Sequence, residues 1–204
     1  MMTIHKLALR LLLPALLLCT APAHATVLEA YSFEQLVHAS RLIVQARIID
    51  RYSEATEQGI HTYVTLQVED VITDRSGALT QETLTLSFLG GEANGETLQV
   101  AGQFIPAVGE RALLFIADPA TPAINPLTGW FQGYFPILED AAGAYLDLRE
   151  RPDLILANLN PDPLLKKMLA LGADDAQLRS RFPDYARFRL DDFVTAIRSE
   201  AAAP

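Results

Sequence analysis

Between residues 60 and 69 the chain alternates without a break. Ile60, Thr62, Val64, Leu66 and Val68 fall on one face, and His61, Tyr63, Thr65, Gln67 and Glu69 on the other. That two-residue period predicts a strand with one buried and one solvated face. Thr83 to Leu89 repeats it, with Leu84, Leu86 and Phe88 inward and Thr83, Thr85 and Ser87 outward. Two further runs lack alternation because both of their faces are apolar. Leu42 to Ile49 is rich in β-branched residues, and Arg111 to Ala117 is almost wholly apolar, so both predict buried strands.

Polar residues from Asp50 to Gly59 predict a loop between the first two strands, and Arg75-Ser76-Gly77 a turn. Gly90-Gly91 ends the strand that starts at Thr83, and the stretch to Gly95 reads as too glycine-rich for a regular element. A short strand from Thr97 to Val100 and a turn set by Pro106 and Gly109 come next. Residues 118–129, with Pro119, Pro122 and Pro126, predict a loop, and Trp130 to Leu138 with Ala144 to Leu148 a hairpin around Asp140 to Gly143.

Helical signals stand at both ends of this β-rich stretch. Ser32 with Gln35 three residues on forms a capping box, and Tyr31 is placed to staple against Leu36. Near the other end, Asp162-Pro163 predicts a helix start, with Leu164, Leu165, Met168, Leu169 and Leu171 as its apolar stripe and Gly172 as its stop. Leu190, Phe193, Val194 and Ile197 mark a last helix. Asp174-Asp175 and Asp191-Asp192 read as N-terminal caps that complement helix dipoles. The expected fold is mainly β: a small closed or partly open OB-like barrel, with an N-terminal helix and C-terminal helices packed on it. Residues 26–148 form the barrel domain and residues 149–204 the helical segment.

The first 25 residues change the picture from fold to place. Lys6 and Arg10, the Leu11–Leu18 run and Ala23-His24-Ala25 make up a secretory signal peptide with cleavage expected after Ala25. Its apolar run is far shorter than the roughly 20 residues a bilayer-spanning helix needs. The alternative, lipidation at Cys19, would want a small residue where Leu18 stands. The expected protein is therefore periplasmic or secreted, and its only cysteine leaves with the signal, so it carries no disulfide and no cysteine metal site.

Charge narrows the partners. Of 16 basic residues, two leave with the signal, and the remaining 14 against 25 acidic residues give a net charge of −11. Residues 26–148 hold 5 basic and 16 acidic residues, and residues 149–204 hold 9 of each. An acidic surface repels phosphate backbones and anionic membrane, so nucleic acid is not an expected partner and no stable membrane span is expected after cleavage.

Candidate chemistry is sparse. After cleavage only His38 and His61 remain, neither in a zinc-binding array, and no metal or cofactor is expected. No serine occupies a G-x-S-x-G elbow, no calcium-loop spacing occurs, and Gly90, Gly91 and Gly95 fit neither a dinucleotide fingerprint nor a P-loop. Those glycines predict a bend or bulge at a barrel corner.

The segments "SFEQLVHASRLIVQARIID", "HTYVTLQVEDVI", "GGEANGETLQVAG", "VGERALLFI", "WFQGYFPILEDAAGAYL" and "RLDDFVTAIR" together resemble a group of exported bacterial proteins of uncharacterised function. The resemblance spans nearly the whole mature chain. It implies a small β-barrel of the OB or TIMP-like kind and export, and it assigns no catalytic residue. TIMP-type inhibitors use an N-terminal cysteine and several disulfides, which the mature chain lacks, so that mechanism does not carry over.

The expected function is an exported, non-catalytic binding or interaction module for a protein or peptide of the envelope or cell exterior. Its expected site is the polar face that carries His61, Tyr63 and Gln67, together with the Gly91–Gly102 segment. Two other classes stay open: a hydrolase in which carboxylates act with His61, and a structural component of an envelope or extracellular assembly.

Overall fold

The computed structural model describes residues 30–77, 79–120, 123–151 and 162–203. The expected signal peptide, Met1 to Ala25, lies outside the described residues. No described helix is long and apolar enough to cross a membrane.

The described residues open with helix α1 (Phe33–Ala39), capped as its sequence predicts: Gln35 N donates to Ser32 Oγ, and Ser32 N donates to Gln35 Oε1. Strands β1 (Leu42–Thr56) and β2 (Gly59–Asp74) form a long hairpin. The loop expected over Asp50 to Gly59 is thus strand up to Thr56. Its alternation is hidden by a bulge between Ile48 and Asp50, which leaves Ile49 exposed and shifts the register by one residue. Asp74 then ends β2 by accepting from the N–H groups of Ser76 and Gly77.

Strand β3 (Thr83–Leu89) has the expected bounds. The glycine-rich stretch beyond it is regular after all, a small hairpin of β4 (Gly91–Ala93) and β5 (Glu96–Leu98). Its turn is Asn94-Gly95, both at positive φ, the turn pair that matches the twist of a two-residue hairpin. Strand β6 (Arg111–Ile116) is buried along its length apart from Arg111. The expected strand start at Trp130 is instead a 3-10 turn, Trp130–Gly133, entered through Gly129 and Trp130 at φ 62° each. Extended structure begins with β7 (Tyr134–Asp140), which pairs with β8 (Gly143–Asp147).

Among the C-terminal elements, α2 (Pro163–Ala170) is capped by Asp162 and α3 (Asp175–Arg181) by Asp174. A three-residue strand β9 (Arg187–Arg189) pairs with β8 and leads into α4 (Leu190–Ala201). The cap position of α4 is Arg189, with no side-chain bond, so Asp191 and Asp192 sit in the first turn and act on the dipole rather than as caps.

The strands form one antiparallel sheet in the order β3-β2-β1-β6-β7-β8-β9. The protein is mainly β, and this sheet is not closed: among the described residues β3 and β9 are its edges. Both of its sides are packed. On one, Leu42, Val44, Ala46 and Ile48 of β1 meet Val64 and Leu66 of β2, Leu86 and Phe88 of β3, and Ala112, Leu114 and Ile116 of β6. On the other, Ile43, Leu113, Phe115, Phe135 and Leu146 meet Phe33 and Leu36 of α1 and Phe193, Val194 and Ile197 of α4. β1 and β6 are central to both, which is why their sequences run apolar without alternation.

Candidate functional site

The hairpin of β1 and β2 fixes which side chains can meet. Paired residues in an antiparallel sheet share a face, so the outward set of β2 brings a matching set from each neighbour. His61 stands opposite Glu54 and Leu89, Tyr63 opposite Tyr52 and Ser87, and Thr65 opposite Asp50 and Thr85. Tyr52 and Tyr63 stack with ring centroids 5.1 Å apart and planes 23° apart, and Tyr52 is half exposed. The Thr65 and Thr85 hydroxyls meet at 3.2 Å.

The hairpin turn supplies one wall. Thr56 Oγ1 donates to Gly59 O at 2.9 Å, accepts from Gln58 N at 3.2 Å and lies 3.2 Å from His61 Nδ1. The Thr56 hydroxyl thus ties the hairpin turn to the imidazole of His61. The opposite wall comes from the long loop after β6. That loop is pinned at both ends of its crossing, since Ala117 N donates to Pro126 O and Leu89 N to Ile124 O. Gln103 Nε2 donates to Ile124 O at 3.0 Å and Asn125 Nδ2 to Gln103 Oε1 at 3.1 Å, which holds the crossing in place.

The result is a groove of about 250 Å3. Its floor is His61, Tyr63, Thr85 and Ser87, and its walls are Thr56 and Gln58 on one side and Asp118 and Pro119 on the other. Its polar groups are hydroxyls, an imidazole, the Gln58 carboxamide and the Asp118 carboxylate, which pairs with Arg41 at 3.4 Å. Glu54 directly opposite His61 and Glu57 in the hairpin turn make the surround acidic. Among the described residues no carboxylate is hydrogen-bonded to His61.

Of the residues the sequence singled out, the structure brings His61 and Tyr63 together in this groove. Gln67 shares their face but lies four residues beyond Tyr63, about 13 Å along the strand, opposite Arg47 and Thr83. The Gly91–Gly102 segment is on the other face of the hairpin. Thr62 Oγ1 donates to Gly90 O at 2.6 Å and accepts from Ser53 Oγ at 2.9 Å, and Gly91 rests on these two hydroxyls. There it borders a separate cavity of about 620 Å3 with Arg51.

Sequence reasoning missed Tyr52 and the wall at Asp118-Pro119. Tyr52 was hidden by the bulge that breaks the period of β1; the loop's path depends on main-chain pairing with β3 and β6, which leaves no mark in the sequence. Comparison with known proteins finds no matching family model, no similar curated protein and no similar solved structure.

Proposed function

We propose that the protein is an exported, non-catalytic binding module that takes a protein or peptide segment in the groove over His61 and Tyr63. The observation that carries this reading is the convergence of three elements on those two residues: the β1–β2 turn, the outer face of β2 and β3, and the loop after β6. Partly open OB-type barrels bind ligands on that face and with the loops that border it. The run β3-β2-β1-β6-β7 supports such a barrel here, with the crossing at Ile124 to Leu127 bridging the ends of β3 and β6 in place of direct pairing.

The chemistry of the groove favours a neutral or cationic partner. Tyr63 backed by Tyr52 offers a rigid aromatic surface with a hydroxyl, and such residues contribute strongly to binding at little entropic cost. Glu54, Glu57 and Asp118 repel anions. Capture of a partner from envelope and extracellular fractions on the immobilised mature protein tests this reading. Tyr63→Ala should weaken capture about tenfold or more, leave the melting temperature nearly unchanged, and binding should fall as salt rises. Undiminished capture by Tyr63→Ala, or a loss that follows unfolding, would overturn it.

A further inference from the structure

Away from the groove, the two ends of the described chain meet. Glu34 and His38 are one turn apart on α1 and so share a helix face. Glu200 comes from the last turn of α4, 162 residues after His38. The backbones that carry these side chains are fixed by the core. Phe33 meets Phe193 edge-on with ring centroids 5.7 Å apart, and Leu36, Val37 and Ile197 are fully buried between the helices and the sheet.

One ligand-type atom from each of Glu34, His38 and Glu200 lies within 4.8 Å of the other two, and His38 Nε2 is 3.1 Å from Glu200 Oε1. Among the described residues no Lys or Arg pairs with Glu34 or Glu200. Arg198, two residues from Glu200, is committed to Asp70 at 2.9 Å. Two carboxylates therefore stand close together, one of them bonded to an imidazole and neither paired with a Lys or Arg among the described residues, and a divalent cation is the species whose charge they would balance. An imidazole nitrogen beside carboxylate oxygens suits Zn2+ and its first-row neighbours, whereas Mg2+ and Ca2+ select oxygen alone. The cluster also adjoins a cavity of about 720 Å3, in which His38 shares the lining with Tyr31 and Trp130. A cation held by three side chains would keep an open coordination position, with room beside it for water or a further ligand.

We propose that Glu34, His38 and Glu200 form a binding site for a divalent transition-metal ion of the Zn2+ type, one that clamps α1 to α4. This proposal is independent of the groove over Tyr63. The chain has a single tryptophan, and it lines the same cavity, so metal entry has a built-in optical reporter.

The test uses the mature protein, chelator-treated and free of any affinity tag. Calorimetric titration with ZnCl2 should give one ion per chain, and Ni2+ should quench Trp130 fluorescence with the same stoichiometry. At a hundredfold excess over the dissociation constant, Zn2+ should raise the melting temperature by about 5–10 °C. His38→Ala and Glu200→Gln should each weaken Zn2+ binding at least tenfold, while His61→Ala leaves it unchanged. Melting of the metal-free variants within a few degrees of the parent protein shows that they fold. No saturable binding, or binding that His38→Ala and Glu200→Gln leave intact, would overturn the proposal.

Discussion

The two sides of the sheet are packed by different means. The side that carries Leu42, Val44, Ala46 and Ile48 is packed by side chains of β1, β2, β3 and β6 themselves, with Leu127 of the crossing loop among them. The side that carries Ile43, Leu113 and Phe115 is covered by helices drawn from both ends of the chain. The first arrangement is written as alternation in β2 and β3, which follow β1 in sequence, while its contact with β6 spans about 70 residues. The second depends on residues 190–197 reaching back to residues 33–43, so it is written only as unpartnered apolar faces. The same strands serve both sides, and damage to either should reach the other through β1 and β6.

The largest expected effect comes from removing the helical cover. A chain ended at Arg149 loses Leu165, Leu178, Leu190, Phe193, Val194 and Ile197, all buried, and with them β9. Each buried side chain of that size is worth about 1.5–3 kcal/mol, so the six together, about 9–18 kcal/mol, match or outweigh the roughly 5–15 kcal/mol by which domains are stable. The truncated chain should aggregate or show no cooperative melting. A soluble product with the melting temperature of the whole chain would mean that the strand-sealed side suffices alone.

A smaller change probes that strand-sealed side. Gly91 sits at φ +135°, and an added Cβ would lie 2.3 Å from Thr62 Oγ1 and 2.6 Å from Ser53 Oγ. Gly91→Ala should cost about 2–3 kcal/mol in urea unfolding, from strain and overpacking together. Gly95→Ala has open space around it and only the strain of φ +79°, so it should cost about 1 kcal/mol. Equal costs at the two positions would show that the hydroxyl pair can move aside and that the small hairpin is not seated on it.

Legibility in the sequence follows the same division. Thr83–Leu89, the alternation from Ile60, the apolar run of β6, the Ser32 capping box and the stripe of Leu190, Phe193, Val194 and Ile197 could be read because each is a local period or a local cap. Asp50 to Thr56 could not, because the bulge at Ile48 reverses which side chains point inward and places Arg51 and Ser53 where apolar residues would be sought. Asn94-Gly95 was a legible hairpin signal that the surrounding glycines obscured. β9 is three residues long and exists only through its pairing with β8. At the groove, parity united His61 and Tyr63. Distance along the strand separates Gln67, and the wall at Asp118 depends on where Ile124 and Leu127 pair.

The smallest expected effect lies where the helical cover stops. Beyond Ile43 and Leu113 the same side of the sheet continues as Gln45 and Arg111, and a polar network replaces the apolar core. Arg111 Nε donates to Glu69 at 3.1 and 2.9 Å, its Nη1 donates to Glu139 at 2.6 Å, and Gln45 Nε2 donates to Glu69 at 2.8 Å. Burial by itself raises the Glu69 carboxyl, but the hydrogen bonds from Arg111 and Gln45 and the charges of Arg111 and Arg47 outweigh it and hold the group below the ordinary carboxylate range. A carboxyl depressed in the folded state stabilises it above the unfolded value and loses that contribution as pH falls through the folded value. Glu69→Gln should therefore cost about 1 kcal/mol at pH 7, and the deficit should shrink in acid as the parent protonates. Asp74, Asp140, Asp147 and Asp175 are depressed as well, so both proteins weaken in acid, and only the difference between them reports Glu69. A deficit of the same size at pH 7 and pH 3 would assign the loss to packing of the Glu69 stem instead of to its charge.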